Sequence, residues 1–390
     1  MKIDSAVELK RMHAKKIIHI LKMQNNMTKR KIMGDINLSF ATVSNICNEL
    51  REKGYLEEQP VDDTKAVGRT PKNILLKSEN LLVLCYDLTK YGIIRVAVID
   101  YLSKILYKEE YLYSKEYEIT DLVEECTAIY EKHVLQRFQI EQIIGIGVAI
   151  PGIFEKRTHH IVSSEIDMFN NQPLKAMFEK KLHKTIYIDN DSNLCVMSKY
   201  VLSRHSNDMD QDVIYIFADE GLGIGVISNG MLIRGSGGYA PEICHMPIGN
   251  MQLTCHLCSN RGCVESDLRS MGFVEKFNLY DKEKIQSFQQ FIELSKEGNY
   301  ITQNVIAENA EIWGKLLSVL NNIFNPGHIY LGGETISLMK TRFPQIMEQM
   351  KSKLLAKNNA LPRIEEDINS SDTLLHGAAE MIFSQWVPEL

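Results

Sequence analysis

Residues 28–54 read TKRKIMGDINLSFATVSNICNELREKG, and this stretch decides the fold of the N-terminal part of the chain. Thr28 can cap a short helix, and Gly34 falls where that helix is expected to stop. Ser39 can cap the next helix, and Gly54 can end it. Apolar residues recur along this second helix as a single stripe, formed by Val43, Ile46, Cys47 and Leu50. The stretch therefore predicts two short helices joined by a tight connection.

The flanking segments complete a small domain. Residues 6–23 place apolar side chains at helical spacing, which predicts a helix before the quoted stretch. After it, residues 55–58 begin a strand, residues 62–71 have the composition of a loop, and residues 74–76 form a return strand. Three helices followed by a two-stranded wing are typical of a winged helix-turn-helix. We assign this domain, called the head below, to residues 1–79.

The charge of the chain is unevenly distributed. Residues 1–80 contain 15 Lys and Arg against 10 Asp and Glu, whereas the remaining residues contain 29 against 40. A basic N-terminal domain on an acidic body is typical of a protein whose appendage binds nucleic acid. We therefore expect the head to bind double-stranded DNA. The alternative is a winged helix whose surface makes protein contacts.

The helix that follows Ser39 is the candidate recognition helix. Its small polar side chains can approach base edges closely, and Asn is suited to bidentate contact with adenine. On the preceding helix, Lys29, Arg30 and Lys31 could bind phosphates, and Arg69 at the wing tip could enter a minor groove. The outward positions of the recognition helix are Phe40, Ala41, Thr42, Ser44, Asn45 and Asn48.

Composition limits the class of protein. A length of 390 residues predicts two or three domains. No apolar run reaches the roughly 18 residues of a membrane helix, and the N-terminus lacks a secretory apolar core, so we expect a cytoplasmic protein without a membrane partner. In that compartment five scattered cysteines are expected to be reduced core thiols: Cys47, Cys85, Cys126, Cys195 and Cys244.

From residue 81 onward, strands alternate with helices. The predicted strands cover residues 81–86, 93–100, 105–113, 143–150, 186–189, 213–217, 225–228 and 328–331, and the clearest helix covers residues 302–324. This pattern predicts a two-lobed α/β body with a ligand cleft between its lobes. We place the small lobe at residues 80–200 and the large lobe at residues 201–390, with a C-terminal helix that could return to the small lobe.

Several glycine-rich and polar motifs follow in a fixed order along the body. Together they resemble the ROK family, which contains both sugar kinases and sugar-responsive repressors with an N-terminal winged helix. The resemblance covers roughly residues 6–385 and implies the two-lobed actin-like, or ribonuclease H-like, ATPase fold. The motifs are GIGVAIPG at 145–152, DNDSN at 189–193, GSGGYAPEICH at 235–245, the segment 255–265, LGG at 331–333 and GAA at 377–379.

The resemblance also implies a sugar-binding set. In the kinases an Asn-Asp pair holds sugar hydroxyls, and its Asp is the base that deprotonates the attacking hydroxyl; Asp191 occupies that position here as a vestigial base. A carboxylate and an amide are suited to binding hydroxyls. For Asp191 the alternative is a carboxylate that interacts with a helix dipole. The full set expected by similarity is Gly152, Glu165, Asn190, Asp191, Glu242, His245 and Glu265; at Glu165 the family often has Asn.

Residues 255–263, CHLCSNRGC, resemble the zinc loop of the family and are called the cysteine loop below. The family pattern begins C-x-C, whereas this loop begins C-x-x-C, a spacing that also suits tetrahedral Zn²⁺. The resemblance predicts one structural zinc ion per chain, held by His245, Cys255, Cys258 and Cys263. The inserted residue leaves open whether His256 replaces Cys255, and three unrelated thiols are the alternative to a metal site.

The phosphate-binding motifs of the family kinases are altered. Where the kinases have D-x-G-G-T, this chain has DLTKY at 87–91, and where they have G-T-G-x-G it has DEGLG at 219–223. Carboxylates at Asp219 and Glu220 repel a polyanion, and glycines that would let backbone N–H groups approach phosphate are missing. We therefore expect no ATP binding and no kinase activity.

These observations together predict a repressor of carbohydrate-utilisation genes. It would bind a near-palindromic operator as a homodimer or homotetramer and leave DNA when a carbohydrate binds its cleft. An inducing sugar is favoured over a corepressor, although the residues do not decide the sign. The two alternatives are an active ROK-type hexose kinase and a repressor with a vestigial sugar pocket that a protein partner controls.

Overall fold

The computed structural model describes residues 6–60, 72–155, 157–205, 211–355 and 361–390. Its N-terminal domain has the three predicted helices and a small antiparallel sheet. Thr28 and Ser39 cap the second and third helices as predicted, since their hydroxyls accept hydrogen bonds from the N–H groups of Lys31 (3.3 Å) and Thr42 (3.1 Å). The elements are α1 (Ala6–Met23), β1 (Met27–Thr28), α2 (Lys29–Ile36), α3 (Phe40–Glu52), β2 (Leu56–Pro60) and β3 (Lys72–Leu76).

Two details of the head differ from expectation. Helix α2 continues through Gly34 and ends at Ile36, where Asn37 takes the left-handed conformation at φ 54°. Asn is one of the few residues other than Gly that adopt this conformation readily, so the helix can run past the glycine. The short strand β1, which was not predicted, pairs with β3, giving the order β1-β3-β2.

The next part of the chain forms a five-stranded sheet, called the first sheet. Strands 93–100 and 143–150 were predicted with their observed limits, and the others differ by one or two residues. A hairpin of β8 and β9 lies outside this sheet and was not predicted. The elements are β4 (Leu82–Asp87), β5 (Ile93–Asp100), β6 (Ile105–Leu112), α4 (Ile119–Ile129), β7 (Ile143–Ile150), β8 (Ile153–Glu155), β9 (His160–Ser163), α5 (Leu174–Leu182), β10 (Ile186–Asn190) and α6 (Asp191–His205).

The remaining chain forms a second five-stranded sheet and most of the long helices. Strands β13 and β15, at its two edges, were not predicted. The elements are β11 (Val213–Ala218), β12 (Leu222–Ser228), β13 (Met231–Leu232), α7 (Val264–Leu268), α8 (Ser270–Tyr280), α9 (Phe288–Lys296), α10 (Tyr300–Phe324), β14 (His328–Gly332), α11 (Ile336–Met339), α12 (Phe343–Ser352), β15 (Arg363–Asp367) and α13 (Ser370–Gln385).

The two sheets have the same topology. The orders are β10-β7-β4-β5-β6 and β13-β12-β11-β14-β15, so in each sheet the first strand lies at the centre. In each, the first strand is antiparallel to the second and parallel to the fourth. This duplication is the actin-like arrangement, and the predicted fold class is confirmed. Among the described residues, no helix is both long enough and apolar enough to span a bilayer.

Helices α6 and α13 pack closely against each other beside the first sheet. A Cβ atom on Gly377 would lie 1.9 Å from the carbonyl oxygen of Leu194, so only glycine fits at this crossing. The apolar core around α13 continues into the head, where it includes Ile17 and Leu21 of α1. The C-terminal helix therefore lies between the head and the body.

Candidate functional site

A cavity of about 320 Å³, called the cleft, lies at the carboxyl ends of β4, β7 and β10 and against the turn between β11 and β12. Open α/β sheets bind ligands at such strand ends. The first residues of α13 and part of the cysteine loop also line the cleft. It brings together all seven residues of the expected sugar-binding set: Gly152, Glu165, Asn190, Asp191, Glu242, His245 and Glu265.

Asn190 and Asp191 lie where β10 ends and α6 begins. The Asn190 amide donates to the carbonyl oxygen of Gly152 (3.1 Å), and its oxygen accepts hydrogen bonds from the N–H (3.0 Å) and hydroxyl (2.5 Å) of Ser192. These contacts fix the orientation of the amide beside the Asp191 carboxylate. Burial, together with the nearby carboxylate of Asp87, raises the pKa of Asp191 to about 7. Asp191 can therefore accept or donate a hydrogen bond near neutral pH.

The opposite side of the cleft is formed by His245 and three glutamates. The His245 imidazole lies 3.7 Å from the Glu242 carboxylate through Nε2 and 3.6 Å from the Glu265 carboxylate through Nδ1. Burial, followed by the charge of Glu265, raises the pKa of Glu165 to about 8. Glu165 reaches the cysteine loop as well, because its carboxylate lies 3.8 Å from His256 Nε2. This side offers several acceptors for hydroxyl groups.

The two turns that correspond to kinase phosphate loops have internal hydrogen bonds. The N–H of Thr89 donates to the Asp87 carboxylate (3.0 Å), and the N–H of Asp219 donates to the carbonyl oxygen of Gly221 (2.9 Å). Glu334 lies beside Asp219, and burial together with this neighbour raises the pKa of Glu334 to about 7. Glu334 was not predicted, since it follows the Gly-Gly turn without a motif of its own.

The cysteine loop forms a tight turn, closed by a hydrogen bond from the N–H of Cys255 to the carbonyl oxygen of Asn260 (2.7 Å). The ligand atoms of His245, Cys255, Cys258 and Cys263 all lie within 4.8 Å of one another. The Sγ atoms of Cys258 and Cys263 are 3.5 Å apart, and Cys255 Sγ is 3.6 Å from His245 Nδ1. Tetrahedral Zn²⁺ with bonds of roughly 2.3 Å requires similar spacings between ligands. The cluster could therefore hold a metal ion.

His256 does not belong to this four-residue group. Its neighbours are Cys255 and Glu265 in one cluster, and its Nε2 lies 3.8 Å from the Glu165 carboxylate. Cys255 Sγ, in contrast, lies with the other three ligand atoms. The geometry favours Cys255 over His256 as the fourth member of the set, although the ligand assignment stays a prediction.

The recognition helix has the predicted buried stripe, since Val43, Ile46, Cys47 and Leu50 are all buried. On its outer side Phe40, Ala41 and Asn45 are exposed, whereas Thr42, Ser44 and Asn48 are partly buried. On α2, Arg30 and Lys31 are exposed, and Lys29 is partly buried. Arg69 lies outside the described residues. The DNA-contacting set as a whole stays a prediction.

Lys29 is held by two partners that the sequence did not indicate. Its ammonium donates to the Asn48 amide oxygen (3.1 Å) and forms an ion pair with Glu58 of β2 (2.9 Å). Glu58 also binds Arg51 (3.1 Å) and Lys72 (3.0 Å). These residues are far apart in the sequence, so only the folded hairpin brings them together.

Helix α13 connects the cleft with the head. Ser370, Ser371 and Leu374, near its start, line the cleft. Near its end, Glu380 forms a buried ion pair with Lys22 of α1. The carbonyl oxygen of Ser384 accepts a hydrogen bond from Lys15 (2.5 Å), and that of Pro388 accepts one from Arg11 (3.1 Å). Trp386 contacts Tyr55 edge to face at 5.6 Å.

A comparison with known families agrees with this geometry. The sequence profile described as the ROK family matches residues 91–384. The chain belongs to the ROK family. This family includes both repressors and kinases, so membership by itself does not decide between the two.

Two similar proteins are named as a repressor and as a dual regulator of transcription. The chain is 27% identical over 322 residues to the xylose repressor of Caldicellulosiruptor bescii, covering 79% of each protein. It is 21% identical over 380 residues to the DNA-binding transcriptional dual regulator NagC of Escherichia coli, covering 93% of this chain and 90% of NagC.

Solved structures of ROK proteins share the fold. A ROK family transcriptional regulator, described as a homolog of the E. coli MLC protein, superposes with a TM-score of 0.79 at 18% identity and covers 96% of this chain and 97% of its own. A ROK hexokinase from Thermus thermophilus superposes with a TM-score of 0.63 at 20% identity and covers 77% of this chain and 97% of its own. Likeness to the regulator thus extends over nearly the whole chain, whereas likeness to the hexokinase covers a smaller part.

Proposed function

We propose that this chain is a sugar-responsive transcriptional repressor. Its head would bind operator DNA, and its cleft would bind a carbohydrate that releases the head from DNA. One observation supports the proposal: the seven residues expected to bind hydroxyls all line one cleft, whereas carboxylates and internal hydrogen bonds occupy the two turns that correspond to phosphate loops. The names of the relatives support the same function. We retain the division into head (1–79), small lobe (80–200) and large lobe (201–390) as part of this proposal.

Charge is the reason for proposing that the chain does not phosphorylate sugars. Like charges about 4 Å apart repel by ~4 kcal/mol at an effective dielectric constant of about 20. Asp219 and Glu220 would both face a triphosphate, and Glu334 adds a third carboxyl group beside Asp219. A repulsion of this size lowers affinity roughly a thousandfold. Asp191 would then act as a hydroxyl partner and not as a base in turnover.

We propose Zn²⁺ as the ion of the Cys-His cluster. Three thiolates and one imidazole form a closed structural set, which suits zinc and leaves no position for a reacting water. When bound, the ion would fix the cysteine loop and the His245 ring. Because His245 also lines the cleft, the loop would present this residue to the carbohydrate in one orientation.

Recognition of DNA by a winged helix implies an oligomer. Two recognition helices about one helical turn apart read the two halves of a near-palindromic site, which a homodimer or homotetramer can present. Binding of the sugar can release DNA only if its affinity differs between the DNA-bound and free conformations. Helix α13 would carry this difference, because it contacts both the cleft and α1.

Two measurements test the proposal. A thermal-shift panel of monosaccharides and oligosaccharides should identify a ligand that raises the melting temperature, since binding to the folded state alone must stabilise it. Selection of DNA from a random pool should yield a near-palindromic site, and the same sugar should lower affinity for it. ATP-dependent phosphorylation of any sugar in the panel would contradict the proposal, as would a failure to select any DNA.

A further inference from the structure

One carboxylate of the head, that of Glu58, forms ion pairs with three cationic side chains. Glu58 lies on β2 and is only 13% exposed. Its Oε1 atom is 2.9 Å from the Lys29 ammonium, and its Oε2 atom is 3.1 Å from Arg51 Nη1 and 3.0 Å from the Lys72 ammonium. The hydrogen bonds and charges of Lys29 and Lys72 hold the pKa of Glu58 at about 2. The group is therefore ionised at every physiological pH and carries a net charge of about +2.

Two of the three cations face solvent, whereas Lys29 and the carboxylate are mostly covered. The side chains of Arg51 and Lys72 are 44% and 54% exposed, compared with 17% for Lys29. A guanidinium has five N–H donors and an ammonium has three, so one ion pair with Glu58 uses only part of their capacity. The group can therefore bind a second anion from the solvent side.

The position of this group relates it to the recognition helix. Arg51 lies in the last turn of α3, seven residues after Ser44 and three after Asn48, so the three share one face of that helix. Lys29 contacts the Asn48 amide directly (3.1 Å). Lys72 pairs with Pro60 at the end of the β2–β3 hairpin where residues 61–71 connect the two strands. The three cations thus lie at the junction of the recognition helix, α2 and the wing.

We propose that Lys29, Arg51 and Lys72 form a phosphate clamp that binds the DNA backbone, and that Glu58 is the residue that positions them. This inference rests on the proposed DNA binding of the head. It adds Arg51 and Lys72 to the contacts, which the sequence did not indicate, and it gives Glu58 a role. Contacts to phosphate set the register of a protein on DNA without reading its sequence.

Positioning by Glu58 has a physical advantage. Long cationic side chains lose rotamer entropy when they bind an anion, and this loss opposes binding. A partly buried carboxylate that already restricts three such chains lowers this cost at the moment of binding. The disadvantage is that the negative charge of Glu58 also lies near the phosphate. The three cations and this carboxylate together have a net charge of about +2.

The first experiment measures the salt dependence of binding to a random-sequence 30-base-pair duplex by fluorescence anisotropy. Each phosphate contact contributes a slope of about −0.9 in log K against log salt. Arg51→Gln and Lys72→Gln should each reduce the magnitude of the slope by about one. Lys10→Gln is the matched control, because Lys10 forms an ion pair with Glu49 (2.5 Å) elsewhere on the head and should leave the slope unchanged.

The outcomes separate the clamp from the proposed function. If the wild-type chain does not bind duplex DNA at all, DNA binding itself is wrong. If it binds but the Arg51 and Lys72 variants have the slope of the Lys10 variant, the clamp is wrong. Melting temperatures of all variants should match the wild type within a few degrees, which shows that the head remains folded.

The second experiment tests the role of Glu58. If Glu58 positions Arg51, then Arg51→Gln should change the slope much less in a Glu58→Ala background than in the wild type. Glu58→Asp should restore part of the full effect, since it keeps the charge on a shorter side chain. Equal changes in the two backgrounds would overturn the positioning role.

Discussion

Replacing Lys22 with methionine should detach the head from the body without unfolding the body. The ion pair of Lys22 with Glu380 is buried, with the two side chains 4% and 10% exposed. The ammonium also lies 5.1 Å from the ring centre of Tyr101 and 4.8 Å from that of Phe383. Methionine has nearly the length of lysine and packs well against aromatic rings, so the substitution removes the charge while keeping the packing.

The expected cost follows from the charge that is left behind. Removing one partner of a buried ion pair costs about 3–5 kcal/mol, and here the Glu380 carboxylate would keep the hydrogen bond from the Ser103 hydroxyl (3.0 Å) but lose its cation. Each 1.4 kcal/mol is a factor of ten, so the ratio of detached to docked heads should rise roughly a hundredfold or more. In the double variant Lys22→Met with Glu380→Leu, both charges are gone, and docking should recover most of the loss.

Hydrogen exchange read by mass spectrometry measures this effect locally. Amides of α1 should exchange faster in Lys22→Met than in the wild type, whereas amides of β7 should keep their protection. The exposed ion pair of Lys10 and Glu49 supplies a control, since Lys10→Met should cost at most about 1 kcal/mol. Unchanged protection of α1 in Lys22→Met, or equal effects of the two substitutions, would refute the reasoning.

Three further predictions concern the cleft, the cysteine loop and the recognition helix. Cys258→Ser should lower the zinc content of purified protein from about one ion per chain toward zero by elemental analysis, whereas Cys126→Ser, a buried thiol elsewhere, should not. Because burial raises the pKa of Asp191 to about 7, the folded chain retains a proton that the unfolded chain releases, and stability should fall as pH rises from about 4 to 7. Asp191→Asn should make this decline smaller by at most about 4 kcal/mol in urea unfolding, while the declines due to Glu165 and Glu334 remain. Asn45→Ala should relax base preference at one operator position by about 1–3 kcal/mol, measured against single-base operator variants.

The sequence predicted most of the strands that are buried on both faces. Continuous apolar runs such as residues 143–150 are typical of central strands, and the structure gives that strand the same limits. The missed strands are short or lie at sheet edges: β13 has two residues, and β15 reads RIEED with most side chains outside the core. Their pairing depends on the neighbouring strand and not on a pattern of their own.

The residues of the candidate site also divide into those that the sequence predicted and those that it did not. The order of motifs indicated seven residues of the cleft, and three of them, Gly152, Asn190 and Asp191, lie at or just after the ends of β7 and β10. The sequence did not indicate Glu334 or Glu58, since the charged groups around each of them belong to other elements of the fold. Asp219 lies more than a hundred residues before Glu334, and the cations around Glu58 come from α2, α3 and β3. Local patterns carry no information on such contacts.

The arrangement of α13 explains how a kinase-like body could control a head. A helix of 16 residues spans about 24 Å, which separates the cleft from the contacts with α1. Helices α13 and α6 cross so closely at Gly377 that α13 cannot shift without moving α6 as well. Because α6 begins at Asp191 in the cleft, a ligand that draws the Asp191 carboxylate toward its hydroxyls would act on α6 and α13 together. The end of α13 that contains Glu380 would then move as well. Because Glu380 is paired with Lys22, the head would move with it. A coupling of only 1–3 kcal/mol along this route is enough to change DNA affinity 5- to 150-fold.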